Sequence, residues 1–327
     1  MDRRPRVCGI SAMAILSRIY FNAVFGALGG LLGWLLFGVF GNRAASTEHA
    51  MLFLTWEHLN WLLGGVLIGG VIGFFVVSVD AIRDQAPIRF ARLASYGMML
   101  GAVGGMLGML VGEGVNLLLQ KGAFLLQMLG RGLGWMLLGV AIGMSEGIAA
   151  RSMGKFSYGA LGGAIGGFLG GMLFHVFYHF NRQFASTTYL WSALGLVILG
   201  ACIGSLSALV QTIFQPASVR VLRGWQEGRE YALDKSQNLL GREEHADIAL
   251  FRDMRVEKRH AYIRQQNGRY VLVNHGAPPQ YTLVNDMPVT GALELADGDR
   301  IQLGNVLLRF QLRAAAIRPK PRKRPTG

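Results

Sequence analysis

Six stretches of this chain are apolar over about 20 residues each, and that feature bounds every fold open to it. A helix rises 1.5 Å per residue, so about 20 residues cross the ~30 Å hydrocarbon layer of a bilayer. Lipid offers no hydrogen bonds, and a helix satisfies its own backbone, so helices are the expected form. The stretches cover residues 19–41, 60–79, 93–112, 132–150, 158–180 and 189–213. The first follows Arg3, Arg4 and Arg6, as a signal peptide would, but it is too long for an h-region of roughly 7 to 15 residues. It is read as a helix.

Composition changes near residue 214. Of 46 glycines, 37 lie before that point, whereas 19 of the 32 Lys and Arg lie in the 113 residues after it. Two solvents are implied, and therefore two folding units. The apolar content of 52% excludes a disordered chain, and Cys8 and Cys202 alone exclude a disulfide scaffold. A net charge of +13 would point to nucleic acid in a soluble protein. In a chain with spans it reads first as a marker of the cytoplasmic side. Arg3, Arg4, Arg6, Arg18, Arg83, Arg89, Arg92, Arg151 and Lys155 fall on one side, against Arg43, Lys121, Arg131 and Arg182 on the other. With six spans, both termini are expected in the cytoplasm and the chain in a cell inner membrane.

The apolar half repeats itself. The string GAxGGxLG occurs at residues 26–33, 101–108 and 163–170, each time in the first helix of a pair. The second helices open with Trp61 and Gly65, Trp135 and Gly139, and Trp191 and Gly195. Three tandem hairpins of one topological sense follow, unlike the inverted repeats of many transporters. Glycines four residues apart, as in Gly26 and Gly30, Gly101 and Gly105, or Gly163 and Gly167, leave a smooth face where another backbone can approach. Packing among the six helices is the first reading of these faces; a zipper between copies, giving a homo-oligomer, or a pore lining are the others.

Polar residues inside spans are few. Glu146 is the intramembrane candidate, since a charge in lipid is costly. His175 and His179 have metal-ligand spacing, but no third ligand accompanies them, so no metal is expected. The segments 51–61 and 117–129 are amphipathic and read as pieces lying along the outer surface of the bilayer.

After residue 218 the hydrophobic period becomes two, with glycine and aspartate at the turns. Strands are expected at 219–222, 229–233, 248–251, 261–264, 270–273, 282–284, 300–303 and 306–312, which makes a β-sandwich. Neither half offers a nucleophile with a base, a phosphate-cradling loop or paired carboxylates, so neither an enzyme nor a cofactor is expected.

Five blocks then carry a resemblance: Leu240-Gly241-Arg242; Ala246-Asp247-Ile248; residues 256–263 (VEKRHAYI); residues 282–285 (TLVN); and LADGDRIQLGNVLLRF, ending at Phe310. In this order and spacing they resemble a forkhead-associated (FHA) domain over about residues 219–312. The resemblance implies an eleven-stranded sandwich whose loops at one end read phosphothreonine in a partner. It implies that Arg242 contacts the phosphopeptide, that His260 braces the loops and that Asn285 belongs to the later turn, where Asp286 replaces the usual glycine. The family's serine three residues before the histidine is Glu257 here, and its Asn-Gly-Thr is Gln280-Tyr281-Thr282. Lys258 and Arg259, with Arg252 and Arg255, are placed to compensate Glu257 or to pair with it; Glu243, Glu244 and Glu257 are alternative partners for Arg242.

The expected architecture is therefore multi-domain: a basic N-terminus (1–18), an α-helical membrane bundle of six helices in three glycine-rich hairpins (19–214), an all-β FHA-like sandwich (215–313) and a disordered basic tail (314–327) suited to anionic lipid. Gly241 and His260 are expected to hold the loops; Arg242, Glu257, Lys258, Arg259, Gln280, Thr282 and Asn285 are expected to meet a phosphothreonine-containing or unmodified protein. The leading expectation is a membrane-anchored adaptor. A channel or transporter regulated by the FHA-like domain is the alternative, and a structural subunit of an envelope complex a further one. Nucleic acid is not expected, because no aromatic residues interleave the basic tail.

Overall fold

The computed structural model describes residues 12–44, 56–119, 122–183, 188–243, 246–266 and 268–312. The arginines at positions 3, 4 and 6, the segment 51–55 ahead of the second helix, Glu244 and the basic tail lie outside them. The chain divides into two compact units, Met1–Phe214 and Gln215–Gly327.

The first unit is six helices: α1 (Ala12–Ala44), α2 (Trp56–Asp84), α3 (Pro87–Leu119), α4 (Phe124–Ala150), α5 (Met153–Gln183) and α6 (Thr188–Phe214). All six are long and apolar enough to cross a membrane. They extend past the expected apolar stretches, because a helix need not stop where the hydrocarbon does. Residues 12–18, expected in the basic N-terminus, already belong to α1. The expected surface pieces also change: residues 56–61 are the first turns of α2, 117–119 close α3 and 124–129 open α4, each continuous with a spanning helix. Between α4 and α5 the chain turns in two residues. Arg151 takes the left-handed conformation that ends a helix, and the Ser152 hydroxyl accepts the Lys155 amide at 3.2 Å to start the next.

Each odd-numbered helix lies between two even-numbered ones, and α1 packs on α6, so the six close into a ring. The repeated string explains the arrangement. Its first and fifth positions, Gly26 and Gly30, Gly101 and Gly105, and Gly163 and Gly167, sit against the backbones of α6, α2 and α4 in turn. Its fourth and eighth positions sit against the other neighbour: Gly29 and Gly33 on α2, Gly104 and Gly108 on α4, Gly166 and Gly170 on α6. A Cβ at Gly26, Gly30, Gly101, Gly105, Gly163 or Gly167 would come closer than 3.0 Å to a neighbouring backbone carbonyl. One string thus makes two glycine faces, and both are occupied within the chain. Inside the ring, α2, α4 and α6 contribute Ile68 and Ile72, Leu138 and Ile142, and Leu199 and Ile203 to one apolar cluster, each at most 3% exposed.

The second unit is a sandwich of eleven strands. One sheet has the order β2-β1-β11-β10-β7-β8, the other β4-β3-β5-β6-β9. The strands are β1 (Ala217–Arg223), β2 (Glu230–Ala232), β3 (Gln237–Gly241), β4 (Ile248–Ala249), β5 (Ala261–Gln266), β6 (Arg269–Asn274), β7 (Thr282–Val284), β8 (Met287–Pro288), β9 (Ala292–Leu295), β10 (Arg300–Leu303) and β11 (Val306–Leu312). Alternate residues face inward, as in the burial of Val306, Leu308 and Phe310 along β11. They build one core with Val219, Leu240, Ile263, Leu272 and Ile301, all fully buried.

Candidate functional site

Three loops meet at one end of the sandwich: 242–247 after β3, 250–260 before β5, and 275–281 after β6. Gly241 admits the first to the second, because a Cβ there would strike the carbonyl oxygen of Lys258. Two backbone hydrogen bonds then join them: the amides of Arg242 and Glu243 donate to the carbonyls of Glu257 and Lys258 at 2.9 and 3.1 Å.

His260 joins the second loop to the third. Its ring is fully buried; Nδ1 accepts the Glu257 amide at 3.0 Å, and Nε2 lies 2.9 Å from the hydroxyl of buried Thr282. An Nδ1 that accepts carries no proton, so Nε2 holds the hydrogen and donates it to Thr282. Burial pushes the His260 pKa below its ordinary value, which favours this neutral form. Asn274 folds the third loop upon itself, its amide donating to the carbonyls of Ala277 and Val289 while its oxygen accepts the Ala277 amide. Nothing in its sequence neighbourhood singles Asn274 out.

The exposed residues of these loops carry the chemistry. Arg242 makes no ion pair among the described residues; its Nη1 rests 3.0 Å from the Met254 sulfur, and its Nε is buried without an acceptor. Arg259, expected beside the phosphate, is instead bound to Glu243 at 2.9 Å, and that hydrogen bond raises its pKa. Arg255 reaches Asn305 at 3.1 Å, and Arg252 lies 4.1 Å over the Trp225 ring. None of the arginines expected to neutralise Glu257 does so. Glu257, Lys258 and Gln280 are exposed, and Glu257 and Lys258 form no ion pair among the described residues.

Two expected contact residues are engaged within the domain. Thr282 is buried under His260. Asn285 and Asp286 form the left-handed turn between β7 and β8, with φ of 49° and 66°, and Asn285 bonds Asp299 and the Arg300 amide. Asparagine and aspartate tolerate this conformation, which accounts for the loss of the family's glycine. A neighbouring cavity of about 210 Å³ is lined by Trp225, Leu250, Arg252, Asp253, Asn305 and Val306 among others.

In the helical unit Glu146 has a network of partners. It meets Lys155 at 2.9 Å and accepts from Gln211 at 3.2 Å; Arg18 bonds Gln211 at 3.0 Å and Asp80 at 3.4 Å. Arg18 and Lys155 each stand eight residues before the first glycine of their repeat string, a signal present in the sequence. His175 and His179 both pack on the Phe124 ring, with centroids 5.2 and 5.1 Å away. No group of three metal-binding side chains occurs among the described residues.

The fold is a β-sandwich of the forkhead-associated type. Residues 220–314 match the family described as "Inner membrane component of T3SS, cytoplasmic domain". The oxoglutarate dehydrogenase inhibitor of Corynebacterium diphtheriae is 33% identical over 110 residues, 33% of this chain and 75% of that protein. Glycogen accumulation regulator GarA of Mycolicibacterium smegmatis is 38% identical over 90 residues, 28% of this chain and 55% of GarA. The chain thus spans about half the length of the GarA proteins it matches. Among solved structures, the FhaA FHA domain complexed with the intracellular domain of Rv3910 is 32% identical, covering 29% of this chain and 99% of that one, with a TM-score of 0.26. Through its C-terminal sandwich the chain belongs to the forkhead-associated family.

Proposed function

We propose that this protein is a membrane-anchored adaptor. Residues 19–214 hold it in a bacterial inner membrane, and residues 215–313 recruit a threonine-phosphorylated protein on the cytoplasmic side. It acts by binding rather than by catalysis. Family membership supports phosphothreonine recognition, and the matched family's description supports the inner membrane and the cytoplasmic side. The excess of Arg and Lys around the α2–α3 and α4–α5 turns agrees with that orientation.

One observation carries the reading. Arg242 is fixed at its backbone by the Glu257 carbonyl, yet its guanidinium has no carboxylate partner among the described residues. A planar fork of donors in that state suits a phosphate. The apolar cluster inside the bundle, which includes Ile68, Ile72, Leu138, Ile142, Leu199 and Ile203, favours an anchor over a conducting pathway. The glycine faces are used between neighbouring helices of one chain, so they give no support to a zipper between copies.

The test is a titration of the full chain in detergent or nanodiscs with phosphothreonine peptides and their unmodified counterparts. The phosphorylated form is expected to bind at least about tenfold more tightly, and Arg242→Ala to remove most of that difference, as the loss of a charge-assisted contact does. Equal affinity for both forms would overturn the proposal.

A further inference from the structure

The departure at Glu257 points to what flanks the phosphothreonine. Glu257 is exposed, and its backbone is committed on both sides: the amide donates to His260 Nδ1, and the carbonyl accepts from Arg242. Only the carboxylate remains for a partner. Every arginine close in sequence is engaged elsewhere: Arg259 by Glu243, Arg255 by Asn305 and Arg252 by Trp225. Among the described residues the carboxylate therefore has no ion-pair partner, on the loop whose backbone is bonded to that of Arg242 and beside Lys258, which has none either.

A phosphothreonine brings nearly two negative charges to this surface. Alone, it meets a carboxylate that no cation opposes among the described residues, and like charges held on one surface repel. A cationic side chain next to the phosphothreonine removes that conflict, because it supplies Glu257 with a counter-ion while the phosphate takes Arg242. We infer that Glu257 is a specificity-determining residue that selects partner segments carrying Lys or Arg beside the phosphothreonine. The same carboxylate discriminates against segments with acidic flanks, so one substitution supplies both the attraction and the repulsion that specificity needs.

This inference rests on phosphothreonine recognition at the same loops, and the experiment separates the two. The full chain in nanodiscs is probed with an oriented peptide library that has a fixed phosphothreonine and degenerate flanks, and with a matching library bearing unmodified threonine. Wild type is expected to enrich Lys or Arg at one or more flanking positions. Individual phosphopeptides with Lys there should bind about three- to tenfold more tightly than those with Ala, the range of a partly exposed ion pair, and less so at high salt. Glu257→Gln, which keeps the size, and Glu257→Ser, which restores the family's residue, should reduce that preference to below about twofold while still binding phosphothreonine. Phosphate-dependent binding without a basic preference in wild type, or with a preference unchanged in both variants, would overturn the inference and leave the adaptor reading intact. Indifference to the phosphate in every library would overturn both.

Discussion

Arg242 and His260 divide the work at the candidate site, one presenting a charge and the other holding the loops that present it. His260 is buried neutral, with its ordinary pKa of 6.5 displaced downward by burial. The unfolded chain therefore binds a proton as pH falls through about 6.5 while the folded domain resists it. This contribution to stability is complete above pH 6.5 and is lost as pH drops toward the folded value, with a slope of up to about 1.4 kcal/mol per pH unit. Hydrogen exchange of the β5 and β6 amides should show this slope in the wild type and its absence in His260→Asn. The family resemblance pointed to this residue, and to Arg242 with it. It did not show that Thr282 is buried or that Asn285 bonds Asp299 and the Arg300 amide, because a contiguous motif does not say what its side chains engage. It placed Arg259 beside its near neighbour Glu257, whereas the folded loops bring it to Glu243, 16 residues away.

Helices and strands differed in how openly they were written. The strands at 282–284, 300–303 and 306–312 were legible to the residue, because valine, leucine and isoleucine alternate between clear turns. Strands β3, β8 and β9 were not: β3 begins with Gln237 and Asn238, and β8 is two exposed residues. The helix pairs were plain from the glycine string, but its second face was not read, so the closed ring was missed. That ring makes a contrast testable. Gly143 and Gly159 face each other so closely that a Cβ on either would strike the other's carbonyl, whereas a Cβ on Gly114 meets nothing within 4 Å. Gly143→Leu should therefore lower bundle stability by about 2 to 5 kcal/mol in detergent unfolding, and Gly114→Leu should leave it nearly unchanged. The Glu146–Lys155 pair, with its side chains 13% and 14% exposed, gives a second contrast. Glu146→Gln strands a cation and should cost roughly 3 to 5 kcal/mol, and the double change with Lys155→Met should recover most of it, because the cation and its partner then leave together.

At the scale of the whole molecule, six helices long and apolar enough to cross a membrane are joined in sequence to a sandwich that carries three loops at one end. The repeat glycines of the helical unit pack on neighbouring helices of the same chain, and in the loops of the sandwich Arg242, Glu257 and Lys258 make no ion pair among the described residues. That asymmetry is the basis for assigning recognition to the C-terminal domain and placement to the helices. The most direct measurement is hydrogen–deuterium exchange of the full chain in nanodiscs, with and without a saturating phosphothreonine peptide. Slowed exchange confined to residues 242–243, 256–260 and 278–282, absent with the unmodified peptide, is the predicted result. Unchanged exchange in those loops, or the same protection from the unmodified peptide, would contradict the account.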